Sequence, residues 1–195
     1  MTQRWCVRIN TRPVRELPLP QGASSNYTDP PVEPADHALG RSRGGLSTKI
    51  HALTDQRTRP VSLILTPGQS GDNPQLVPLL DLHREQRRPV ATHDFRLLAD
   101  KAYSHPSTRK ELRRRRIAHT IPERSDQKEL RKRKGSKGGR PPGFDKDSYI
   151  QRNTVERGFL RLKQWRGIAT RYDKHARTYL GGVLLAASLI HLKPL

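Results

Sequence analysis

The sequence predicts a single α/β domain with a mixed β-sheet and flanking helices. Segments with strand spacing and helix spacing follow one another in the order strand, strand, helix, strand, helix, strand and long helix, which is typical of this class. The chain has 195 residues, of which 32% are hydrophobic. This length and composition suit one ordinary domain with one modest core, and a second full domain is not expected.

The N-terminal residues 1 to 40 predict a disordered segment, because six prolines interrupt a stretch with neither helical nor strand spacing. The residue pattern changes after Gly44, where stretches with strand spacing begin. Residues 46 to 54 (LSTKIHALT) and 60 to 66 (PVSLILT) are typical of two strands, and the polar residues between them of a turn. A β-hairpin is therefore expected to open the ordered domain.

The rest of the sequence alternates between helices and short strands. Asn73 and Pro74 suit the first positions of a helix whose apolar face is rich in leucine. The sequence RLLA is typical of a short buried strand that ends at Asp100. The remaining predicted elements are a basic helix over residues 106 to 116, a strand over 117 to 121, a helix over 145 to 165 and a last helix over 173 to 192 that covers the core.

Positive charge is the most unusual feature of the composition. The chain has 38 lysines and arginines against 18 acids, a formal net charge of +20, and a pI near 11.1. Such an excess predicts a polyanionic partner, and ribosomal proteins, nucleoid proteins and nucleic-acid enzymes all share it. Residues 109 to 140 hold 14 basic residues and 4 acids, which is half of the net charge. Glycines and prolines predict a flexible loop at the end of this segment, up to residue 142.

The single cysteine, Cys6, excludes a disulfide framework within the chain and any cysteine-based zinc site. No run of the sequence reaches the roughly 20 apolar residues that cross a bilayer, and the N-terminus has no apolar stretch typical of a signal peptide. The composition therefore predicts a cytoplasmic protein with no membrane partner.

Asp100 is the first candidate for chemistry. It stands in LLADKAY at the predicted carboxyl end of a strand, where α/β sheets place their ligand-binding groups. Aspartates at strand ends also commonly cap a following helix or turn. Taken alone, Asp100 leaves both interpretations open.

Four polar residues further along the chain predict a functional face on one helix. They are Tyr149, Arg152, Glu156 and Lys163. Their spacing, Y-x2-R-x3-E-x6-K, confines them to an arc of roughly 60°. A carboxylate between cations on such a face stays ionised, and the cations can bind phosphate oxygens. The alternative is a solvated helix with ordinary ion pairs.

These motifs resemble the catalytic domain of the bacterial insertion-sequence transposases of family five, which are DDE enzymes with an RNase H-like fold. The resemblance extends over about residues 33 to 193 and includes PADHALGRSRGGLSTKIHAL, LTPGQSGD, LLADKAY, TIPERSDQ, GRPPGFD and RNTVERGFLRLKQWRGIATRYDK. The Y-x2-R-x3-E-x6-K spacing is the signature around the third catalytic acid of insertion-sequence families four and five. The resemblance implies an RNase H-like mixed sheet and a DNA transposase that cleaves and transfers strands at the ends of an insertion sequence.

By position, Asp100 resembles the second catalytic acid of the family and Glu156 resembles the third. In the family, three carboxylates hold two Mg²⁺ ions during strand cleavage and transfer, so the resemblance implies Asp100 and Glu156 as metal ligands. It also implies double-stranded DNA, both transposon ends and target, as the partner, and a homo-oligomer in the intact family. The supporting residues that face DNA in the family are matched by Tyr149, Arg152 and Lys163, and the motif around the second acid is completed by Tyr103.

Basic residues outside this helix predict contacts with the DNA backbone. Such contacts contribute affinity and a strong salt dependence but read no sequence. The alternative is a merely solubilising surface, and the concentration of charge between residues 109 and 140 favours DNA contact. The residues predicted to bind DNA are Arg41, Arg43, Lys49, Arg131, Lys132, Arg133, Lys134, Lys137 and Arg140.

The chain departs from the family at its N-terminus, where a D-S-T-like motif with the first catalytic acid and an R-A-H-Q-H-like run are expected and neither appears. In another reading frame, the last base of the Met1 codon and the first two bases of the Thr2 codon encode aspartate. With suitable synonymous codons, residues 2 to 16 then become DSTVVRAHQHAAGAR. We therefore expect a frameshifted start, a non-homologous and disordered segment over residues 1 to 32, and a partial RNase H-like domain over 33 to 193 that lacks its first strand.

Three functions are compatible with these observations. The first is an insertion-sequence transposase that is inactive as this chain, because its first catalytic aspartate is missing. The second is a non-enzymatic basic DNA-binding remnant that modulates an intact transposase. The third, an RNA-binding protein, accounts for the charge and leaves the Y-x2-R-x3-E-x6-K helix unexplained.

Overall fold

A six-stranded mixed sheet with helices on both faces organises the chain. The computed structural model describes residues 3 to 13, 37 to 86 and 95 to 192. The strands are β1 (Gln3–Pro13), β2 (Gly40–Ser42), β3 (Gly45–Thr54), β4 (Pro60–Pro67), β5 (Phe95–Ala99) and β6 (Ala118–Thr120). The helices are α1 (Leu76–Gln86), α2 (Pro106–Arg114), α3 (Ser125–Arg133), α4 (Lys146–Ile150), α5 (Asn153–Lys163), α6 (Arg166–Ala169) and α7 (Ala176–Leu192).

The sheet has an antiparallel half and a parallel half. Strand β3 pairs antiparallel with β1, β2 and β4, whereas β5 pairs parallel with β1 and β6. Strand β1 therefore lies between the two halves, with Cys6 opposite both Thr54 and Leu98. This mixed sheet with flanking helices confirms the α/β class, and its two predicted opening strands are β3 and β4.

Two apolar clusters lie on opposite faces of the sheet. Because successive side chains of a strand point to opposite faces, Leu97 joins the cluster beneath α1 and α2, and Leu98 joins the cluster beneath α5 and α7. Both leucines are fully buried. Burial of such a side chain contributes about 1.5 to 3 kcal/mol, so the two clusters together fix how the helices sit against the carboxyl edge of β5.

Strand β1 corrects the expectation of a disordered start and of a sheet that lacks its first strand. In the sequence, Trp5, Val7 and Ile9 are apolar at every second position, which is strand spacing, and the prolines from Pro13 onward obscure it. An empty position between β3 and β5 would leave backbone N–H and C=O groups of both strands without partners, and β1 satisfies them. Residues 14 to 36 lie outside the described residues, so the disorder expected there stays a prediction.

The long helix predicted over residues 145 to 165 is two helices, α4 and α5, joined by a tight turn at Gln151 and Arg152. The amides of Arg152 and Val155 bond three residues back, to the carbonyls of Tyr149 and Arg152, at 2.9 and 3.2 Å. The Thr154 hydroxyl donates to the Gln151 carbonyl, and such side-chain competition for backbone groups favours helix ends.

Two other regions differ locally from the sequence prediction. The sequence favoured Asn73 as the N-cap before α1. In the structure the N-cap is Asp72, one position earlier, and it precedes the 3-10 turn Asn73–Gln75. Helix α3 was not expected within the basic segment, and the 3-10 turn Gly135–Gly138 lies where a flexible loop was predicted. Asp126 in the first turn of α3 and basic residues in its last turn complement the helix dipole, which explains why this polar segment is helical.

Within the described ranges, no helix is long and apolar enough to cross a membrane.

Candidate functional site

Asp100 directly follows β5, at the carboxyl edge of the parallel half of the sheet. Its backbone is extended, and its carbonyl accepts a hydrogen bond from the Tyr103 amide at 2.9 Å. Its carboxylate makes no cap hydrogen bond to the turn Lys101–Tyr103. Capping, which the sequence left open, is therefore not the use of this side chain, and 40% of it is exposed at the edge of the sheet.

Arg152 joins Asp100 to Glu156. Its Nη2 atom lies 3.0 Å from Glu156 Oε1 and 3.5 Å from Asp100 Oδ2. Val155 and Phe159 of the same helix are buried against the sheet, which leaves Glu156 at the margin of the core with its side chain one-third exposed. Two acids from distant parts of the sequence thus face one guanidinium group. The motif spacing predicted that Arg152 and Glu156 share a face, whereas the approach of Asp100 was implied only by the family resemblance.

Tyr103 is a buried side chain next to Asp100 at the carboxyl edge of β5. Its side chain is 1% exposed and packs in the cluster beneath α1 and α2. Burial raises the pKa of the Tyr103 hydroxyl well above its ordinary value, and the carboxylates of Asp72 and Asp100 raise it further. Among the described residues, this hydroxyl has no hydrogen-bond partner. Tyr103 is therefore a neutral core side chain next to the carboxylate edge.

The remaining two members of the polar stripe lie to either side of the turn at residue 152. Tyr149 is on α4, where its ring packs against Phe144 with 5.1 Å between ring centroids. Lys163 ends α5, about 10 Å along the helix axis from Glu156. Both side chains are half-buried. The stripe is thus distributed over two helices, and the DNA-facing roles of Tyr149 and Lys163 stay predictions.

Strand β1 contributes no carboxylate beside Asp100 and Glu156. Its sequence, QRWCVRINTRP, contains neither aspartate nor glutamate. The register places Val7 opposite Ala99, so the next residues along the two chains are Arg8 and Asp100. Among the described residues, no group of three or more His, Cys, Asp or Glu side chains is arranged to hold a metal ion. Two carboxylates that share a guanidinium do not fit the two Mg²⁺ ions that the resemblance implied, because such ions need several oxygen ligands and Arg152 occupies the space between the acids.

A second site lies at the β2–β3 hairpin, where Arg41, Arg43 and Lys49 line one open pocket of about 570 Å³. Arg41 and Arg43 are exposed, and Lys49 is half-buried. Cations around a concavity raise the local positive potential, and guanidinium groups bind phosphate oxygens in a fixed geometry. The structure therefore brings together the three basic residues predicted in this region. The other residues of the lining are Ser42, Gly44, Gly68 and Gln69.

Two glycines allow the hairpin to approach the turn that follows β4. A Cβ atom on Gly40 would lie 1.5 Å from Gln69 Oε1, and one on Gly68 would lie 1.9 Å from Ser47 Oγ. The Gly68 amide also donates to the Ser47 carbonyl at 3.0 Å. Any larger residue at position 68 would separate the two walls of the pocket.

Lys49 holds the far wall of this pocket in place. Its Nζ atom donates to the Ser70 carbonyl and to Asp72 Oδ1, both at 2.7 Å. The Lys49 side chain is only 14% exposed. A phosphate at Lys49 would compete with Asp72, so the DNA contact predicted for Lys49 requires a rearrangement that Arg41 and Arg43 do not need.

The basic segment around α3 presents its charge differently. Arg131 is half-buried and pairs with Glu123, whereas the other residues of this segment that were predicted to bind DNA are exposed on the surface. The helix is tied to the domain by Gln127, whose side-chain amide donates to the Ser104 carbonyl at 3.3 Å. The exposed members of the set are Lys132, Arg133, Lys134, Lys137 and Arg140.

Sequence reasoning did not identify Gln69 or Arg171 as parts of the hairpin site. Gln69 lines the pocket, and Arg171 is 2% exposed and donates to backbone carbonyls just before β2. Both residues lie inside motifs that carry the family resemblance, GQSGD and TRYDK. No spacing rule indicates their partners, because those contacts join distant parts of the chain.

Comparison with known proteins gives one family and one set of solved structures. Residues 28 to 190 match the family model described as the transposase DDE domain. A proposed transposase for insertion sequence element IS6501 from Brucella ovis is 29% identical over 152 residues, which cover 76% of this chain and 100% of that protein.

Similar solved structures include complexes of Mos1. The Mos1 mariner paired-end complex with Mn has a TM-score of 0.40 and 14% identity, over 96% of this chain and 53% of that one. A pre-cleavage Mos1 transpososome has a TM-score of 0.38 and 14% identity, over 97% of this chain and 54% of that one. The chain thus spans about half the length of these solved Mos1 chains.

Proposed function

Because this chain belongs to the transposase DDE domain family, whose model matches residues 28 to 190, we propose that it binds double-stranded DNA at the ends of an insertion sequence. By family it is a DNA transposase. The observation that carries the proposal is the contact of Asp100 and Glu156, which resemble the family's second and third acids by position, with the same Arg152 nitrogen. Transposon ends and target DNA are its proposed partners, and binding there would place the chain with the bacterial nucleoid.

We further propose that the chain binds DNA without cleaving it. Strand cleavage in the family depends on divalent metal ions, which activate the attacking hydroxyl group and stabilise the leaving oxygen. The strand adjacent to Asp100 carries Arg8 in place of an acid, and the Arg152 guanidinium lies within 3.5 Å of the carboxylates of both Asp100 and Glu156. With Arg152 between these two acids, a pair of divalent cations at the carboxylates is disfavoured.

A chain that binds transposon ends without cutting them would compete with an intact transposase for those ends. The observation that favours this second function, modulation of an active enzyme, is a basic pocket in a chain whose described residues hold no group of three or more metal-ligating side chains. The two functions differ in whether the chain cleaves the DNA that it binds.

DNA binding is tested by fluorescence anisotropy with a labelled duplex taken from the flanks of the locus that encodes the chain. If four or more phosphates are neutralised, the slope of log K against log salt is about −4 or steeper. A duplex of unrelated sequence and an RNA hairpin of equal length are the controls. Equal or tighter binding to the RNA, or an affinity independent of salt, would remove DNA as the partner.

Metal binding is tested separately, by titrating Mn²⁺ into the chain and following its electron paramagnetic resonance signal. We expect the chain and its Glu156→Gln variant to bind Mn²⁺ equally weakly, because Arg152 occupies the space between the acids. Tight binding that the variant loses would show that two carboxylates suffice, and the proposal of an incomplete site would fail.

A further inference from the structure

Arg171 is a buried cation at the start of the last helical segment. Only 2% of this residue is exposed. Its Nε donates to the Asp173 carbonyl and its Nη2 to the Lys174 carbonyl, both at 2.9 Å, so the guanidinium closes the turn that leads into α7. Its Cζ also lies 5.1 Å from the centroid of the Tyr179 ring. These contacts fix the plane and direction of the guanidinium group.

The same guanidinium reaches across the fold to the segment that precedes the basic hairpin. Its Nη2 donates to the His37 carbonyl at 2.7 Å, and its Nη1 donates to the Ala38 carbonyl at 3.3 Å and to the Thr48 hydroxyl. Arg171 therefore connects the turn before α7 with both sides of the hairpin, because residues 37 and 38 precede β2 and Thr48 lies in β3.

The backbone at Ala38 supplies an independent sign that this segment is held in place. Its φ of 51° lies in the left-handed region that non-glycine residues rarely adopt. Such a conformation persists only where the surroundings enforce it, and it concentrates at sites that need a fixed geometry. The Thr48 hydroxyl also donates to the Ala38 carbonyl, at 2.6 Å. Arg171 and Thr48 thus hold one carbonyl from two sides.

The strained turn directs the chain into the hairpin that carries the exposed cations. Gly40 pairs with Ser47, and Arg41 pairs with Leu46, so the position of Ala38 sets where β2 begins against β3. Arg41 and Arg43 follow within five residues and line the pocket. A change at Arg171 would therefore alter the position of these two arginines without touching them.

We propose that Arg171 is a positioning residue for DNA binding, which holds the β2–β3 hairpin so that Arg41 and Arg43 line one open pocket. The inference rests on the proposed function, since DNA is the ligand. A side chain that is 2% exposed cannot itself contact DNA. Its contribution is preorganisation, which lowers the conformational cost of ordering the hairpin when DNA binds.

The test is a double-mutant cycle on DNA affinity. The variants are Arg171→Met and Arg171→Lys, each made in the natural chain and in an Arg41→Ala/Arg43→Ala background. In the natural chain we expect Arg171→Met to weaken binding about tenfold at fixed salt and to leave the salt slope unchanged, because the phosphate contacts remain the same in number. In the double-alanine background the same change has no effect on affinity, since the two arginines that Arg171 positions are absent.

Arg171→Lys keeps the charge but loses the planar fork of donors, so its loss of affinity is smaller than that of Arg171→Met. The matched control is Arg177→Met, which removes an exposed arginine from α7. Equal losses for Arg171→Met in both backgrounds would show a general effect on stability. A salt slope shallower by about 0.9 would show a direct phosphate contact, and either result overturns the proposal.

Hydrogen exchange separates this inference from the proposed function. We expect the amides of residues 37 to 45 to exchange faster in Arg171→Met and Arg171→Lys and to be unchanged in Arg177→Met. If neither the natural chain nor any variant binds DNA, the proposed function fails. Faster amide exchange at residues 37 to 45 in the Arg171 variants would still support the positioning of the hairpin. Unchanged exchange at residues 37 to 45 would refute the positioning role whatever the DNA result.

Discussion

The β2–β3 hairpin and helix α3 are both basic, but they are built in different ways. The hairpin is held by Arg171, by the close approach of Gly68 to Ser47 and by strand pairing to the sheet. Helix α3 rests on the domain through Gln127 and the pair of Arg131 with Glu123. Charge density alone favoured the second region as the DNA contact, whereas the described pocket lies in the first.

This difference separates two ways in which a basic surface binds DNA. A cation on a fixed backbone binds a phosphate with little loss of freedom, while a cation on an exposed helix loses side-chain entropy when it is ordered. Equal numbers of charges can therefore contribute unequally to affinity. If the hairpin is the anchored region and α3 the dispensable one, changes at the hairpin weaken DNA binding more than changes at α3.

The largest effect expected is on acid stability, through His51 of β3. The ring is fully buried, and Nε2 lies 2.7 Å from the Thr66 hydroxyl. Burial lowers the pKa of His51 from 6.5 to about 4, Lys49 lowers it too, and Asp72 opposes the shift. Since the unfolded chain takes up a proton near pH 6.5 and the folded chain only near pH 4, stability is complete above pH 6.5 and falls by up to about 3 kcal/mol as the pH drops to 4.

Urea unfolding between pH 7 and pH 4 measures this loss, with His51→Gln as the comparison. The glutamine does not titrate, so its curve should fall less steeply across this window. Parallel curves for the two proteins would mean that His51 is not the group responsible, and that β3, the longer strand of the hairpin, is not sensitive to acid.

The next effect is on DNA affinity. Arg41→Ala/Arg43→Ala should weaken binding to the flank duplex by about 100-fold, because two cations that converge on one pocket are lost. The charge-matched change Lys132→Ala/Lys134→Ala in the α3 region should cost about tenfold or less, because these side chains are dispersed on the surface. Anisotropy titrations at one salt concentration give the ratio. Equal losses in the two double variants would erase the distinction between the two regions.

A smaller effect is expected from filling the space at Gly68. Gly68→Ala places a methyl group 1.9 Å from Ser47 Oγ and 2.9 Å from the Ser47 carbonyl oxygen, so the fold should lose about 1 to 3 kcal/mol of stability. Gly181→Ala in α7 is the matched control. No atom lies within 4 Å of its new methyl group, and the change should stabilise the helix by up to about 1 kcal/mol. Urea unfolding in which both variants shift in the same direction would contradict the close approach.

The smallest effect concerns the stability contribution of α3 charges. Replacement of Lys132, Arg133 and Lys134 by glutamine should change the free energy of unfolding by less than about 0.5 kcal/mol, since these side chains are exposed. Arg131→Gln should cost more, because it leaves the half-buried carboxylate of Glu123 without this partner. If the triple variant were the less stable of the two, α3 would be a structural element and not a charged surface.

Local patterns in the sequence were enough to predict much of this molecule. The hairpin strands, the strand before Asp100 and the last helix follow from apolar spacing. The family resemblance implied that Asp100 and Glu156 lie at one site, and both contact Arg152. Strand β1 was missed because the prolines from Pro13 onward obscure its strand spacing and because its stability depends on two strands far along the chain. The contacts of Arg171 with residues 37 and 38 were missed for the same reason, because no local pattern indicates which backbone groups a distant arginine will reach.

The most direct test of the central claim is Mg²⁺-dependent cleavage of the flank duplex at protein concentrations that saturate binding. Three proteins are compared: this chain, its Glu156→Gln variant, and a version in which residues 2 to 16 are replaced by DSTVVRAHQHAAGAR. We expect this chain and Glu156→Gln to bind the duplex and yield no product, and the version with the restored aspartate to cut it. Cleavage by this chain that is lost in Glu156→Gln would contradict the account, because two carboxylates beside Arg152 would then suffice for catalysis.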